Sequence, residues 1–394
     1  RNSNLILDFG FSEGYKSTSQ NKTAGSKSHF FGNFVKNFKG DYKSENNLEL
    51  SFQSVSNDKY LKLYKVKTDL VQNEADTLES FFNFTHENED LFLGFQTSVF
   101  ETLKDGYNDK YEYILPEVTL NKNLINNEKI GNLDLQTNLK VHNYDTNKLT
   151  NFIINDIEWN SNDIFLNSGL NTKILGNVKN INYEAKNVGK YKDKFTNELY
   201  GAIGLLSELN LQKMQGGSKH LLKPKMLLRF SPGSMRKEDS GTRLDPFKAF
   251  SMNKLDNINN FETGLSGTVG FDYQIKDENK DFDFSVAQII NEKENKKLSS
   301  NTSLDEKLSD LVGSATLNLN KKISLNFNLS FFSLNIGSDE CIPIYFFEFN
   351  KELDSFFVPL IFPGMDTYIN RNIDLWNEKN ISLKKDALDK ELNI

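Results

Sequence analysis

Hydrophobic and polar positions along this chain alternate repeatedly with a period of two. Residues 132–142, NLDLQTNLKVH, show it most cleanly. Leu133, Leu135, Thr137, Leu139 and Val141 fall on one side, and Asp134, Gln136, Asn138, Lys140 and His142 on the other. Successive side chains of a strand point to opposite faces, so this alternation predicts a strand whose two faces meet different media. With water on the polar side, the other side is either a protein core or the hydrocarbon of a bilayer. The stretch alone leaves both open.

The pattern returns in LILDFGF (5–11), HFFGNFVKNF (29–38), NLELSFQS (47–54), YLKLYKV (60–66), LFLGFQTSVF (91–100), YEYILPEVTL (111–120), FDFSVAQII (282–290) and ATLNLNKKISLNFNLSFF (315–332). Roughly sixteen strands of about ten residues are expected, the length that crosses a bilayer when tilted. Polar joints rich in turn formers separate them, among them STSQNKTAGSKS (17–28), THENED (85–90), KDGYNDK (104–110) and INEKENKKLSSNTSLDEK (290–307). Long and short joints alternate, which is the habit of an up-and-down barrel. Two short stretches, DTLESFF (76–82) and LKKDALDKEL (383–392), read as helical. Neither is long enough to cover a parallel sheet, so the fold class is all-β and antiparallel. No exact repeat of the propeller or solenoid kind is present.

Composition narrows the function. Only 37% of residues are hydrophobic, but Phe reaches 32 and Pro only 7, a profile of neither a disordered chain nor a helical bundle. A formal charge of -7 without a dense basic block argues against a nucleic-acid partner. The lone cysteine, Cys341, allows no internal disulfide. No run reaches the roughly 18 apolar residues of a transmembrane helix, and the nearest, SFFVPLIFPG (355–364), is broken by two prolines. Any membrane crossing must therefore use strands. The chain starts at Arg1 without a basic-then-apolar export signal, and it is expected to be a fragment.

Candidate chemistry is sparse. His29, His86, His142 and His220 are widely separated and make no HxH, HExxH or Cys/His spacing, so no metal is expected. There is no GxSxG elbow. The glycines of GLSGTVG (264–270) lie in a strand-like segment, where they permit close contacts rather than cradle a phosphate. KDENKDFD (276–283) lacks the glycine-anchored spacing of a calcium loop and reads as a hairpin turn. The Asn-x-Ser/Thr triplets at Asn83, Asn301 and Asn380 carry no meaning in a chain this rich in those residues. No catalytic residue and no cofactor is assigned.

One region departs from strand and turn. Residues 218–275 hold a strand ending near Arg229, a Ser-Pro-Gly turn at 231–233, about thirty irregular residues, and a long strand from about Phe261. Irregular segments of that length in compact proteins are functional or disordered. Phe247, Phe250, Met252 and Leu255 within it argue for packing.

This segment, with LLKPKMLLRFSPG, then LDPFKAFSMNKLDNINNFETG and the following strand, resembles the barrel domain of the lipopolysaccharide-assembly outer-membrane family LptD, of the alphaproteobacterial type. YEYILPEVTL and FDFSVAQII fit further strands, and the likeness covers about residues 1–330. Phe250, Ser251, Asn253, Glu262 and Gly264 match the family pattern, Lys254 stands where an Arg is usual, and Asn259 and Asn260 where an Asp-Arg pair is common. The resemblance implies an antiparallel transmembrane β-barrel over residues 1–335, of the class of about 26 strands. As a fragment it would form an open, curved sheet. Residues 336–394 form an atypical tail with no counterpart in the family.

The resemblance further implies a place in the bacterial outer membrane and the passage of lipopolysaccharide into its outer leaflet, with no bond made or broken. It implies an LptE-like plug lipoprotein where one exists, and a periplasmic LptA-like bridge feeding an N-terminal jellyroll that is expected to be missing from this fragment. Leu133, Leu135, Leu139 and Val141 are then assigned to the lipid face, and segment 231–259 to an extracellular or lumen-folded loop. Arg229, Arg236 and Arg243 would meet lipopolysaccharide phosphates through their bidentate forks or pair internally with Glu238, Asp239 or Asp245. With Asp245, Asn253 and Glu262 they are the candidate ligand-contacting or loop-structuring residues. Two other readings stay open, a soluble or surface-attached β-sheet binding protein and an outer-membrane hydrolase.

Overall fold

The computed structural model describes residues 3–12, 27–41, 43–104, 110–145, 147–166, 168–277, 280–319, 323–331, 344–350 and 356–357. They are almost entirely antiparallel sheet. In chain order the strands are β1 (Ser3–Ser12), β2 (Lys27–Lys39), β3 (Glu45–Val55), β4 (Thr77–Glu87), β5 (Leu91–Thr102), β6 (Tyr111–Asn127), β7 (Gly131–Tyr144), β8 (Lys148–Asn160), β9 (Ile164–Phe165), β10 (Leu170–Lys186) and β11 (Thr196–Leu209). They continue with β12 (Leu211–Gln215), β13 (Ser218–Ser231), β14 (Gly264–Lys276), β15 (Lys280–Asn291), β16 (Leu311–Leu319), β17 (Ile323–Phe331), β18 (Ile344–Asn350) and β19 (Phe356–Phe357). The described strands thus outnumber the sixteen expected and reach 17 residues in β6 and β10. The one α-helix among the described residues, α1 (Tyr60–Tyr64), is a single turn, and it stands where YLKLYKV was expected as a strand.

The helix expected over DTLESFF does not form: Thr77 onward is β4. Leu78, Phe81 and Phe82 have helical spacing, but β3 and β5 offer ladders on both sides. Phe82 pairs with Leu50 and Thr97, and packing against strand neighbours overrides local preference. Cys341 and LKKDALDKEL lie outside the described residues. Within the segment expected to be an atypical tail, Ile344–Asn350 pairs with β17.

The described residues fall into two compact units. The first holds β1 to β11, Lys223–Phe271 and Ala287–Ser309. In it β1 to β8, then β10, β11 and the second half of β13, pair in sequence as an antiparallel meander. Connections 40–44, 88–90 and 128–130 gather at one end of these strands, and 56–76, 187–195 and 232–263 at the other. The separation of tight turns from long loops is only partial, because the tight turn 145–147 lies at the second end and the longer connection 161–169 at the first. Pro116, which has no N–H for the ladder, sits where the β6–β7 register shifts between Ile114 and Glu117.

The two faces of the first unit differ. On one face runs the cross-strand row Leu48, Phe84, Phe95, Val118, Leu139, Ile153. A second row on the same face runs Ile125, Leu133, Trp159, Gly176, Ile203, Phe230. From β4 to β13 the apolar stretch thus steps along the strands toward the tight-turn end. Tilted, staggered strands require such a step if an apolar band is to stay level. Ile153, Val178, Ile203, Leu228 and Phe230 on this face remain exposed. Over β8, β10 and β11 the opposite face is covered. Phe152, Ile154, Ile181, Tyr183, Tyr200 and Ala202 pack there with Phe261 of segment 232–263. A second cluster joins Phe31, on the other face of β2, and Leu78 and Leu103 at the strand ends to Tyr60, Leu61 and Val71 of connection 56–76.

The second unit holds Leu211–Leu222, Asp272–Val286 and the strands from Leu311 onward. In it β12 and the first half of β13 form a hairpin around Gly216 and Gly217, both at positive φ. A turn with two such residues matches the twist of the strands it joins. His220 Nδ1 lies 2.8 Å from Tyr273 Oη. The ladder β16–β17–β18–β19 completes it.

Candidate functional site

Segment 232–263 has no ladder partner, and buried backbone groups must be satisfied in some other way. Side chains from the strands and from the segment itself do this. Arg229, on the covered face of β13, is 1% exposed. Its Nε donates to the Met252 carbonyl at 2.6 Å and its Nη2 to the Glu262 carbonyl. Its guanidinium carbon lies 5.5 Å from the Phe261 ring centroid. The rigid donor fork of arginine thereby clamps two separate stretches of the segment to one strand.

Next to this clamp Lys254 Nζ lies 3.0 Å and 3.2 Å from the two Glu262 carboxylate oxygens, with neither side chain reaching solvent. Burial pushes the Glu262 carboxyl upward, but the cations of Lys254 and Arg229 outweigh it and hold the group below the usual carboxylate range. Asn253 ties the same two stretches together. Its Oδ1 accepts from the Glu262 N–H at 3.1 Å and its Nδ2 donates to the Asn260 carbonyl at 3.3 Å.

Glu238 is the second centre. One carboxylate oxygen accepts from Lys190 Nζ at 2.7 Å, the other from Asn257 Nδ2 at 2.9 Å and Asn260 Nδ2 at 3.2 Å. Its own N–H donates to the Lys297 carbonyl at 2.7 Å, and Leu244 N–H donates to the Thr302 carbonyl at 3.2 Å. Connections 187–195 and 232–263 therefore meet at the Glu238 carboxylate, and its backbone N–H ties in Lys297 of the connection after β15. Arg236 fixes the far side: its Nε donates to Glu198 at 2.8 Å, its Nη2 to the Asn259 carbonyl, and its guanidinium stands about 5 Å from the rings of Tyr183 and Tyr191.

The sequence-derived candidates are thus divided. Arg229, Asn253 and Glu262 converge at the clamp, with Arg236 beside it. Asp245 is exposed and does local work, accepting from the N–H groups of Phe247 and Lys248 at 2.9 Å where a 3₁₀ turn, Lys248–Phe250, begins. Arg243 is half-buried nearby. Internal pairing of the arginines with Glu238, Asp239 or Asp245 does not occur for Arg229 or Arg236, whose partners are backbone carbonyls and Glu198. The cation of Glu238 is Lys190, a residue that no local pattern singles out. On β7, Leu133, Leu135, Leu139 and Val141 share one face, opposite Trp159, Ile157, Ile153 and Asn151 of β8.

The arrangement is a closed cap. Lys254, Glu262 and Glu238 are paired within the chain, Arg229 Nη1 is buried with no hydrogen-bond partner, and the cap holds three loops against one face of the sheet. No curated protein matches this sequence. The family model described as LptD, LPS transport system D, matches residues 31–331. With three quarters of its length so matched, the chain belongs to the LptD family, whose members transport lipopolysaccharide and serve the biogenesis of the outer membrane.

Proposed function

We propose that this chain spans the bacterial outer membrane as barrel strands of an LptD-type translocon and passes lipopolysaccharide into the outer leaflet. The observation that carries the reading is the two-faced sheet. An apolar band that steps from strand to strand faces outward, while the opposite face carries Asp134, Asp156, Lys179 and the packed cap. Lipid requires the first and a wet lumen the second. The exposed face, with Leu133, Leu135, Leu139 and Val141, is then the lipid face. The cap is an outer loop folded into the lumen, closed by Arg229 and Glu238. An LptE-like lipoprotein within the lumen and an LptA-like bridge on the periplasmic side are the partners this role calls for.

The test is depletion in the cell that carries the chain. Newly made lipopolysaccharide should stop reaching the surface and accumulate on the periplasmic side, and re-expression should restore it. Undiminished arrival at the surface during depletion overturns the proposal. A product that stays dispersed in water without detergent would favour a soluble β-sheet binding protein instead.

A further inference from the structure

Strand β1 has little to hold it besides its ladder. None of Ser3–Ser12 is buried, and among the described residues β1 pairs with β2 alone. On its other side chain face from Leu5, Leu7 and Phe9, Asp8 and Gly10 stand opposite Phe31 and His29 of β2, and connection 56–76 reaches them there. His29 is buried with a partner at each ring nitrogen: Nδ1 lies 3.1 Å from Tyr60 Oη of α1, and Nε2 lies 3.4 Å from Asp8 Oδ1. The Thr68 hydroxyl of the same connection donates to the Asp8 carboxylate. Gly10 makes room for the arrangement, since a Cβ there would lie 2.5 Å from His29 Cε1 and 3.3 Å from Tyr60 Oη. The connection itself is anchored without β1. Tyr60, Leu61 and Val71 pack on Phe31, Leu78 and Leu103, Asp58 pairs with Lys110 at 3.0 Å, and the Asp76 carbonyl accepts from the Leu103 N–H at 2.8 Å.

We infer that connection 56–76 is a strap that fastens β1 to the sheet through His29 and Thr68, and that β1 comes away on its own when those links part, while β2 to β8 keep their ladders. The two sides of the strap differ in kind. Toward β2, β4 and β5 it is held by a packed cluster in which Phe31, Leu61 and Leu78 are all but inaccessible to solvent. Toward β1 it is held by hydrogen bonds that meet at Asp8, whose side chain is 34% exposed and open to competition from water. Around Thr68, residues 66–74 face Ile6, Leu7 and Asp8 across an open groove of about 640 Å³ rather than a packed contact. A segment held by few buried contacts and by hydrogen bonds within reach of water opens locally before the rest of a fold does. The inference goes beyond the transport reading and does not depend on which medium meets the exposed face.

The experiment is hydrogen exchange, read by mass spectrometry on the full-length protein in detergent micelles, with β1 compared against β3 and β7. Tyr60→Phe with Thr68→Val removes both hydroxyls and keeps the packed ring of residue 60. It should speed exchange in β1 about tenfold and leave β3 and β7 within about twofold of wild type. Lys62→Met breaks only the pair of Lys62 with Asp76 inside the connection and should leave β1 unchanged. Thr68→Val alone, at a position outside the packed cluster, serves if the double variant does not fold, with a rise of about fivefold expected in β1 only. Unchanged exchange in β1 overturns the inference, because the ladder alone would then hold the strand. Equal acceleration of β1, β3 and β7 overturns it as well, since the connection would then steady the whole sheet, and so does a rise in β1 of the same size in Lys62→Met.

Discussion

Lys254 and Glu262 form an ion pair at 3.0 Å with essentially no exposure of either side chain. Desolvating two charges is costly, and their attraction returns most of that cost only while both are present. Lys254→Met alone should therefore destabilise the folded protein by about 3–5 kcal/mol, because Glu262 would be left buried and unpaired. Lys254→Met together with Glu262→Leu should be much milder, within about 1 kcal/mol of wild type or more stable. Thermal unfolding in detergent micelles separates the two. Equal losses in the single and double variants would show that the pair contributes through shape rather than charge.

Glu238 gives the cap a dependence on pH. Burial pushes its carboxyl up, but the hydrogen bonds from Lys190, Asn260 and Asn257 and the Lys190 charge outweigh burial and hold it below the ordinary 4.5. A depressed folded value contributes stability that is fully present above 4.5 and is lost as pH falls through that depressed value. Hydrogen exchange at the Glu238 and Leu244 amides, which donate to Lys297 and Thr302, should accelerate on acidification. In Glu238→Gln the acid-induced change should shrink. An identical acid response in the variant would move its origin elsewhere.

Gly131 opens β7 at φ 97 directly after the 128–130 turn. A Cβ there would strike the Asn160 carbonyl oxygen and the Ser161 backbone, neither of which has a flexible end to yield. Gly131→Ala should cost more than 1 kcal/mol, roughly, since both the dihedral and the space forbid it. Gly189→Ala, where no atom lies within 4 Å, should be close to neutral. Comparable unfolding temperatures for the two variants would contradict the geometry.

The sheet was legible because its signal is local. LILDFGF, HFFGNFVKNF and NLDLQTNLKVH each carry the period of two within a single strand, and β1, β2 and β7 stand where those stretches lie. DTLESFF misled for the same reason: Leu78, Phe81 and Phe82 imitate a helical face when β3 and β5 are out of view. The cap was legible only as an interruption. Its length and embedded aromatics marked it as packed, but Lys190 reaches Glu238 across 48 residues of sequence, and no periodicity records such a contact. Arg229 drew attention as a charge at the end of a strand, yet the sequence could not tell a phosphate from a backbone carbonyl as its acceptor. Only the path of 252–262 back across β13 decides that.

Leu135 and Gln136 are neighbours in β7 that test the assignment of faces. Leu135 pairs with Ile157 on the exposed apolar face, whereas Gln136 pairs with Asp156 on the other. If the first face meets hydrocarbon, Leu135→Arg must place a guanidinium in lipid, at about 2–4 kcal/mol near the midplane. Gln136→Arg puts the same group beside Asp156 and Asn121 in a polar setting and should be nearly neutral. Folding into bilayers of defined thickness, followed by the gel-mobility shift of the folded barrel, measures both. The difference should shrink in thin bilayers, where a long side chain snorkels more easily to the interface. Equal costs for the two arginines would mean that water bathes both faces, and the lipid-facing assignment of Leu133, Leu135, Leu139 and Val141 would have to be withdrawn.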